Sequence, residues 1–325
     1  MTDYKDVKYK RSTITLSGAT EATPAEGDIW YQSGKFYLGT SQSFTGVWSS
    51  GGNLATARYN LAGCGTQTAG LCMGGEHTSN TNVTEEYNGT AWSSGGNLGT
   101  TRRHMPGAGT QTAGLCMGGT QGSAIYMNVT EEYDGTSWSS GGNLGTARGE
   151  FAGAGTQTAG LCMGGNGNKI VTEEYDGTSW SSGGNLGTGR IDLAGAGTQT
   201  AGLCMGGSTG SYTNVTEEYN GTSWSSGGNL ATTRSALAGC GTQSAGLCMG
   251  GRVSSSDSNV TEEYDGTSWS AGGNLTTARR LFPGAGTQTA GLCMGGFTGS
   301  SSNVTEEYTG GTGSYDEMFT PSQGL

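Results

Sequence analysis

The hexapeptide Gly-Leu-Cys-Met-Gly-Gly occurs six times in this chain, at 70–75, 114–119, 160–165, 202–207, 246–251 and 291–296. A tryptophan recurs with it, at Trp48, Trp92, Trp138, Trp180, Trp224 and Trp269, spaced 42 to 46 residues apart. An arginine follows each tryptophan by ten positions: Arg58, Arg102, Arg148, Arg190, Arg234 and Arg279. A tyrosine precedes five of the six tryptophans by five positions. A period in the forties fits either paired helices or propeller blades. Helices are excluded by pattern, because no window carries an apolar stripe of helical period and glycine, 65 of 325 residues, falls every few positions.

Composition narrows the class further. Four prolines are too few for collagen, and 13% charged residues too few for a charge-rich disordered chain. A net charge of −11 repels phosphate backbones and argues against nucleic acid as a partner. No apolar run approaches the length of a membrane span, so no membrane insertion is expected. The opening MTDYKDVKYKRSTITL lacks the apolar core of a signal peptide, which predicts synthesis in a cytoplasm.

Each unit reads as four short strands. In the second, RRHMPGAG contains the first strand, AGLCMGG is the second, NVTEEY the third and SWSSGG the fourth. GTQTAG turns the first into the second, and Asp134-Gly135, Asn-Gly in other copies, predicts a type I′ hairpin turn between the third and fourth. Six such units make an all-β, six-bladed propeller. Trp48 precedes any hexapeptide, and the last unit passes Tyr308 without a tryptophan. The sixth blade thus lacks a fourth strand, and the segment around Val47–Ser50 supplies it, closing the ring and removing an open edge. Residues 1–42 form a separate N-terminal attachment segment, 43–310 the propeller and 311–325 a C-terminal tail. In the first of these, EGDIWYQSGKFYLGT reads as a hairpin turning at Ser33-Gly34.

A hydrophobic run ending in Gly-Gly, then a tyrosine, then a tryptophan, resembles the kelch repeat over residues 44–310. The stretch ATPAEGDIWYQSGKFYL is similar to segments of tailed-bacteriophage tail and fibre proteins, and the TEEY(N/D)GTSWSSGGNL…GAGTQTAG repeats look like those of virion-associated proteins of marine phages. These resemblances imply a virion component, tail fibre or other exposed part, attached to other virion proteins through its N-terminal segment. They imply a virion location, with assembly into a homo-oligomer left open.

The invariant residues read as scaffold. The repeat cysteines Cys72, Cys116, Cys162, Cys204, Cys248 and Cys293 come one per blade without paired metal-ligand spacing, so no metal or cofactor is expected. Cys64 and Cys240 each lie eight residues before a repeat cysteine, which leaves open a disulfide 64–72 or 240–248. Leucine and methionine alternate around the cysteine, so one face contacts a neighbouring blade, and the tyrosines and tryptophans read as inter-blade packing. Adjacent glutamates of TEEY point to opposite faces and cannot converge on one bond, and one of them is expected to pair with the repeat arginine. YDGTSW lacks the leading serine-x-aspartate order of the aspartate box of sialidase propellers. No hydrolase, zincin, P-loop or dinucleotide fingerprint appears, so no enzymatic activity is expected.

Variation among the six copies falls in two places. One follows Gly-Gly: EHTSNT, TQGSAIYM, NGNK, STGSYT, RVSSSDS and FTGSSS. The other is the pair after each arginine: Tyr59-Asn60, Arg103-His104, Gly149-Glu150, Ile191-Asp192, Ser235-Ala236 and Arg280-Leu281. In up-and-down blades both emerge on the same side of the disc, while GTQTAG and DGTSW on the other side barely change. Drift would touch both sides, so the diversified one is read as a binding face for a host surface glycan or protein. Its expected ligand contacts are Tyr59, His77, Arg103, His104, Tyr126, Tyr212, Arg252, Arg280 and Phe297. The alternative is a glycan-processing hydrolase or lectin-type propeller, which requires charged side chains to converge on that face; the sequence shows them only as scattered.

Overall fold

The computed structural model describes residues 29–32, 35–38, 45–122, 125–311 and 316–319. No helix occurs among them. Six four-stranded antiparallel sheets follow one another along Thr45–Gly311 as the blades of a six-bladed β-propeller. In the first blade the strands are Ala62–Thr66, Ala69–Met73, Thr84–Tyr87 and Trp92–Ser94, from axis to rim. The sixth consists of Gly284–Gly286, Ala290–Met294, Thr305–Thr309 and, as its outer strand, Val47–Ser50. The register Trp48↔Tyr308 reproduces Tyr133↔Trp138 of the second blade, so the N-terminal strand closes the ring as expected.

The hairpin Ile29–Gln32 and Lys35–Leu38 forms as read from the sequence. Asp316–Phe319, placed in a separate tail by the sequence reading, pairs with Lys35–Leu38 and makes a three-stranded sheet. The Ser33-Gly34 turn and the rest of the 1–42 and 311–325 segments lie outside the described residues, apart from these strands and Gly311.

The core is six layers, one between each pair of blades. Between the first two blades, Leu71 and Met73 of one meet Cys116 and Tyr133 of the next. Cys72 faces the other way, into the layer with Leu292 and Met294 of the sixth blade. The alternation within Leu-Cys-Met therefore serves two layers at once, which is why all three positions are completely buried. Each apolar side chain buried this fully contributes roughly 1.5–3 kcal/mol. Tyr133 lies 4.9 Å from Trp138, centroid to centroid. Both also bond back to the first blade: Tyr133 donates to Glu86, and Trp138 Nε1 donates to Thr84 Oγ1 at 2.9 Å. The inner strands approach so closely that a Cβ on Gly107 would come within 2.8 Å of the Gly63 carbonyl oxygen. Only glycine fits there.

Each repeat arginine is a clamp, fully buried. Arg102 Nη1 donates to the carbonyls of Gly118 and Val129, and Nη2 to Glu131 at 2.8 Å. The other oxygen of Glu131 accepts the N–H of Gly99, holding the segment that enters the blade. The Arg102 carbonyl in turn accepts the N–H of Gly75, the last residue of the preceding hexapeptide. Gly74 and Gly75 have φ of 62° and 99°, a left-handed turn that glycine adopts without strain. The expected pairing of one TEEY glutamate with the arginine is therefore present in all six blades.

Two expectations are corrected. The turn between third and fourth strands is not type I′, which needs positive φ at both central residues: Gly135 has φ 89°, but Asp134 does not share it. Instead Asp134 Oδ1 accepts the N–H groups of Thr136 and Ser137, an Asx turn within a four-residue loop between Tyr133 and Trp138. The disulfides 64–72 and 240–248 are ruled out by register. Cys64 stands opposite Leu71 and Cys240 opposite Leu247, one residue off, so each pair points to opposite faces of its sheet. All eight cysteines are free and buried.

Trp48→Ala is expected to destabilise the chain by as much as Trp138→Ala, roughly 2–4 kcal/mol after allowing for partial exposure, read from urea unfolding. A Trp48→Ala variant with unchanged stability contradicts closure by the N-terminal strand. Glu131→Gln, which leaves the Arg102 guanidinium buried without its carboxylate, should lose roughly 3–5 kcal/mol, against about 1 kcal/mol or less for Arg103→Gln in the partly exposed pair with Glu76. Equal losses would show that the clamp is no stronger than a surface ion pair.

Candidate functional site

The two diversified segments meet. The first residue of each variable pair bridges to the first residue after Gly-Gly of the same blade: Tyr59 with Glu76, Arg103 with Thr120, Ile191 with Ser208, Ser235 with Arg252 and Arg280 with Phe297. In the third blade Asn166 N–H donates to the Gly149 carbonyl and closes the set.

The second residue of each pair does something the sequence reading did not anticipate. Asn60, His104, Glu150, Asp192, Ala236 and Leu281 all have left-handed backbones, with φ between 51° and 60°. Each donates its N–H to the carbonyl of its counterpart in the preceding blade, at 2.8 to 3.0 Å. Because Asn60 donates to Leu281, the six hydrogen bonds close into one ring around the propeller axis. The six residues line an opening of about 90 Å³. Below it lies a cavity of about 150 Å³, walled by the same three positions of every blade, for example Leu61–Gly63 and Met105–Gly107. The apolar residue after each pair, read from the sequence as core, thus also lines the axial cavity.

The mouth is two-sided. Blades one to four contribute Asn60, His104, Glu150 and Asp192; blades five and six contribute Ala236 and Leu281. Asn60 Nδ2 lies 3.1 Å from His104 Nε2. Burial, reinforced by the Arg103 charge, pulls the His104 imidazole down to about 4, so the ring is neutral at pH 7. A neutral ring accepting the Asn60 amide at Nε2 carries its proton on Nδ1. Burial also pushes the Asp192 carboxyl up to about 7, with the Glu150 charge adding to it. Glu150 is raised by burial too, and partly held down by Arg103. Arg103 itself is spoken for, because it bonds the Glu76 carboxylate. Neither Glu150 nor Asp192 has a basic partner among the described residues.

The nine residues expected to contact ligand occupy different settings. His104 lies in the mouth. Tyr59, Arg280 and Phe297 form one cluster: Tyr59 meets Phe297 edge-on at 5.4 Å, and Arg280 lies 4.5 Å over the Phe297 ring while also bonding Asp257. Arg103 and Arg280 are thus both engaged within the protein. Tyr126 is half-buried beside Gly149, and burial and the Glu150 charge raise its hydroxyl. Arg252 and Tyr212 are half-buried in the post-Gly-Gly segments, and His77 is exposed. Asn60, Glu150, Asp192, Ala236 and Leu281 were absent from that set. Their common position, two after the invariant arginine in every unit, was the available signal.

The opposite side has a structural reason for its constancy. The glutamine of each GTQTAG reaches into the preceding blade, as Gln111 Nε2 does to the carbonyls of Gly70 at 3.0 Å and Tyr87 at 2.6 Å. The aspartate or asparagine of the DGTSW-type loop holds the Asx turn. The contrast between constant and variable sides therefore does not by itself single out binding.

Asp192 is expected to titrate near pH 7 in carboxyl-detected NMR, and Glu150→Gln to lower that midpoint without returning it to the ordinary range, since burial is the larger cause. A raised folded-state value means that the folded chain holds the proton through the interval where the unfolded chain has released it. This group's contribution to stability is therefore lost as pH rises from about 4 to 7, and Asp192→Asn should remove that loss, gaining on the parent chain at pH 8 relative to pH 5. An Asp192 midpoint near 4 contradicts the enclosure of this carboxyl.

No protein-family model matches the chain, and no curated protein is similar to it in sequence. Many solved structures match the chain. One, the structure of YjhT, superposes with a TM-score of 0.66 over 80% of this chain and 96% of that one, at 13% identity. That degree of identity speaks for the propeller fold alone.

Proposed function

We propose that this protein is a non-enzymatic adhesion module that holds a host surface glycan or protein over the axial mouth of its diversified face. The observation that carries this reading is the choice of residues in the ring. A left-handed backbone is easy for glycine and tolerated by asparagine, aspartate and histidine, but costs roughly 1–2 kcal/mol for other residues. Drift under selection for stability alone would collect these types, glycine above all, at these six equivalent positions. No glycine occurs there, and glutamate, alanine and leucine stand at three of the six positions. Side chains retained against backbone preference, and gathered around one opening, are what a ligand site selects.

The kelch-like repeat pattern and the resemblance of the sequence to phage virion proteins support a finer version. In it, the protein is an exposed component of a tailed-phage particle, tail fibre or similar, joined to other virion proteins through its N-terminal segment. Many copies on one particle would let a weak contact per site serve attachment through effective concentration.

A second reading, a glycan-processing hydrolase or lectin-type propeller, gains from one finding: Glu150 and Asp192, scattered in sequence, stand side by side in the ring. A glycan array followed by a hydrolysis assay on every glycan retained separates the two. Retention without turnover is the expected result, and chain cleavage or reducing-end release would favour the hydrolase. Replacing His104, Glu150 and Asp192 together by Asn, the residue that the first blade carries at this position, should abolish retention while leaving the melting temperature equal or higher. Retention that survives this change, but is lost on altering GTQTAG, assigns binding to the other side.

A further inference from the structure

The mouth is rich in acceptors and poor in donors. It holds two carboxyl groups on adjacent blades, Glu150 and Asp192, locked side by side by the 2.9 Å bond from Asp192 N–H to the Glu150 carbonyl. Their side chains have no hydrogen-bond partner among the described residues, and both residues are partly buried in the wall of the mouth. Beside them the Asn60 amide gives its Nδ2 to His104 and leaves its oxygen as a further acceptor. The nearest guanidinium, Arg103, is bound to Glu76, and the His104 imidazole is neutral. A partly buried carboxyl without a partner carries a desolvation cost, and a cation that donates hydrogen bonds relieves it.

The class of cation follows from the same lining. A metal ion needs several ligands converging on one point, and among the described residues no three histidine, cysteine, aspartate or glutamate side chains do so. An anionic group would meet two carboxyls. An ammonium group brings three donors, matching Glu150, Asp192 and the Asn60 oxygen. The remaining arc of the mouth, Ala236 and Leu281, is apolar and can take the C–H face of a ring. His104 Nδ1–H is left to donate to a hydroxyl.

We propose that the axial mouth recognises the protonated amine of an unacetylated amino sugar. Glu150, Asp192 and the Asn60 oxygen accept from the ammonium, His104 donates to a neighbouring hydroxyl, and Ala236 and Leu281 face the apolar side of the ring. This rests on the reading of the variable face as glycan-binding and adds the identity of the group that the mouth selects.

The test is an NMR titration of the full chain at pH 7 with glucosamine, N-acetylglucosamine and glucose. Glucosamine should bind, and the two neutral sugars at least tenfold more weakly. Glu150→Gln and Asp192→Asn, each exchanging one oxygen for nitrogen, should each weaken glucosamine at least fivefold, with melting curves confirming that both fold. Ser94→Ala, exposed on the outer strand of the first blade, should change nothing. The proposal is overturned if glucosamine does not bind, if N-acetylglucosamine or glucose binds as well, or if neither carboxamide variant weakens binding. Retention of neutral or acidic glycans on the array in that event would leave the broader reading standing. Array binding that survives the ring replacement would remove the broader reading instead.

Discussion

A fully buried guanidinium at every blade junction is the interaction on which the rest of this propeller depends. Arg102 gathers two carbonyls and a glutamate within its own blade, and its backbone carbonyl takes the N–H of Gly75 from the blade before. One residue thus ties second strand, third strand and preceding blade together. A buried charge tolerates no partial version of this arrangement, because removing any partner strands the rest in a low-dielectric interior. That is a physical reason for the repetition of Arg, Glu and Gly-Gly in every unit: each is one end of the same clamp.

The clamp also positions the site. The residue two places after each arginine is forced into a left-handed backbone and bonded to its counterpart in the preceding blade, so six side chains are delivered to the axis from six rigid attachment points. The scaffold decides where they stand and leaves their identity free. Such a mouth loses little conformational entropy when a ligand arrives. Its polar arc and apolar arc come from different blades, so its chemistry can be changed one blade at a time without disturbing the six core layers.

Much of the fold was legible because repetition turns weak local signals into strong ones. The period, the Leu-Cys-Met alternation, the unpaired Trp48 strand and the Arg–Glu pairing all followed from comparing copies, and the register confirms them. What failed was local geometry that sequence spacing does not carry. Asp-Gly is compatible with several turns, and here the Asp134 side chain takes the backbone N–H groups that a type I′ turn would have left differently placed. Cysteines eight apart suggested a cross-strand pair, but the register sets them one residue out. The site was half legible. Variation marked two segments that the structure brings together and included His104, yet aromatic and arginine content pointed to Arg103 and Arg280, whose charges are spent on Glu76 and Asp257. Convergence on the axis depends on a backbone angle and a closed ring of hydrogen bonds, and with glutamate, alanine and leucine at three of the six positions residue type does not mark that angle.

The central claim is that ligand is held at the axis, by the ring, on the diversified side. The most direct measurement is a crystal structure of the full chain with a glycan retained on the array. The account predicts ligand density against Asn60, His104, Glu150 and Asp192, over the cavity of about 150 Å³. Density confined to the GTQTAG side, or to the outer rim of the blades with the mouth empty, would contradict it.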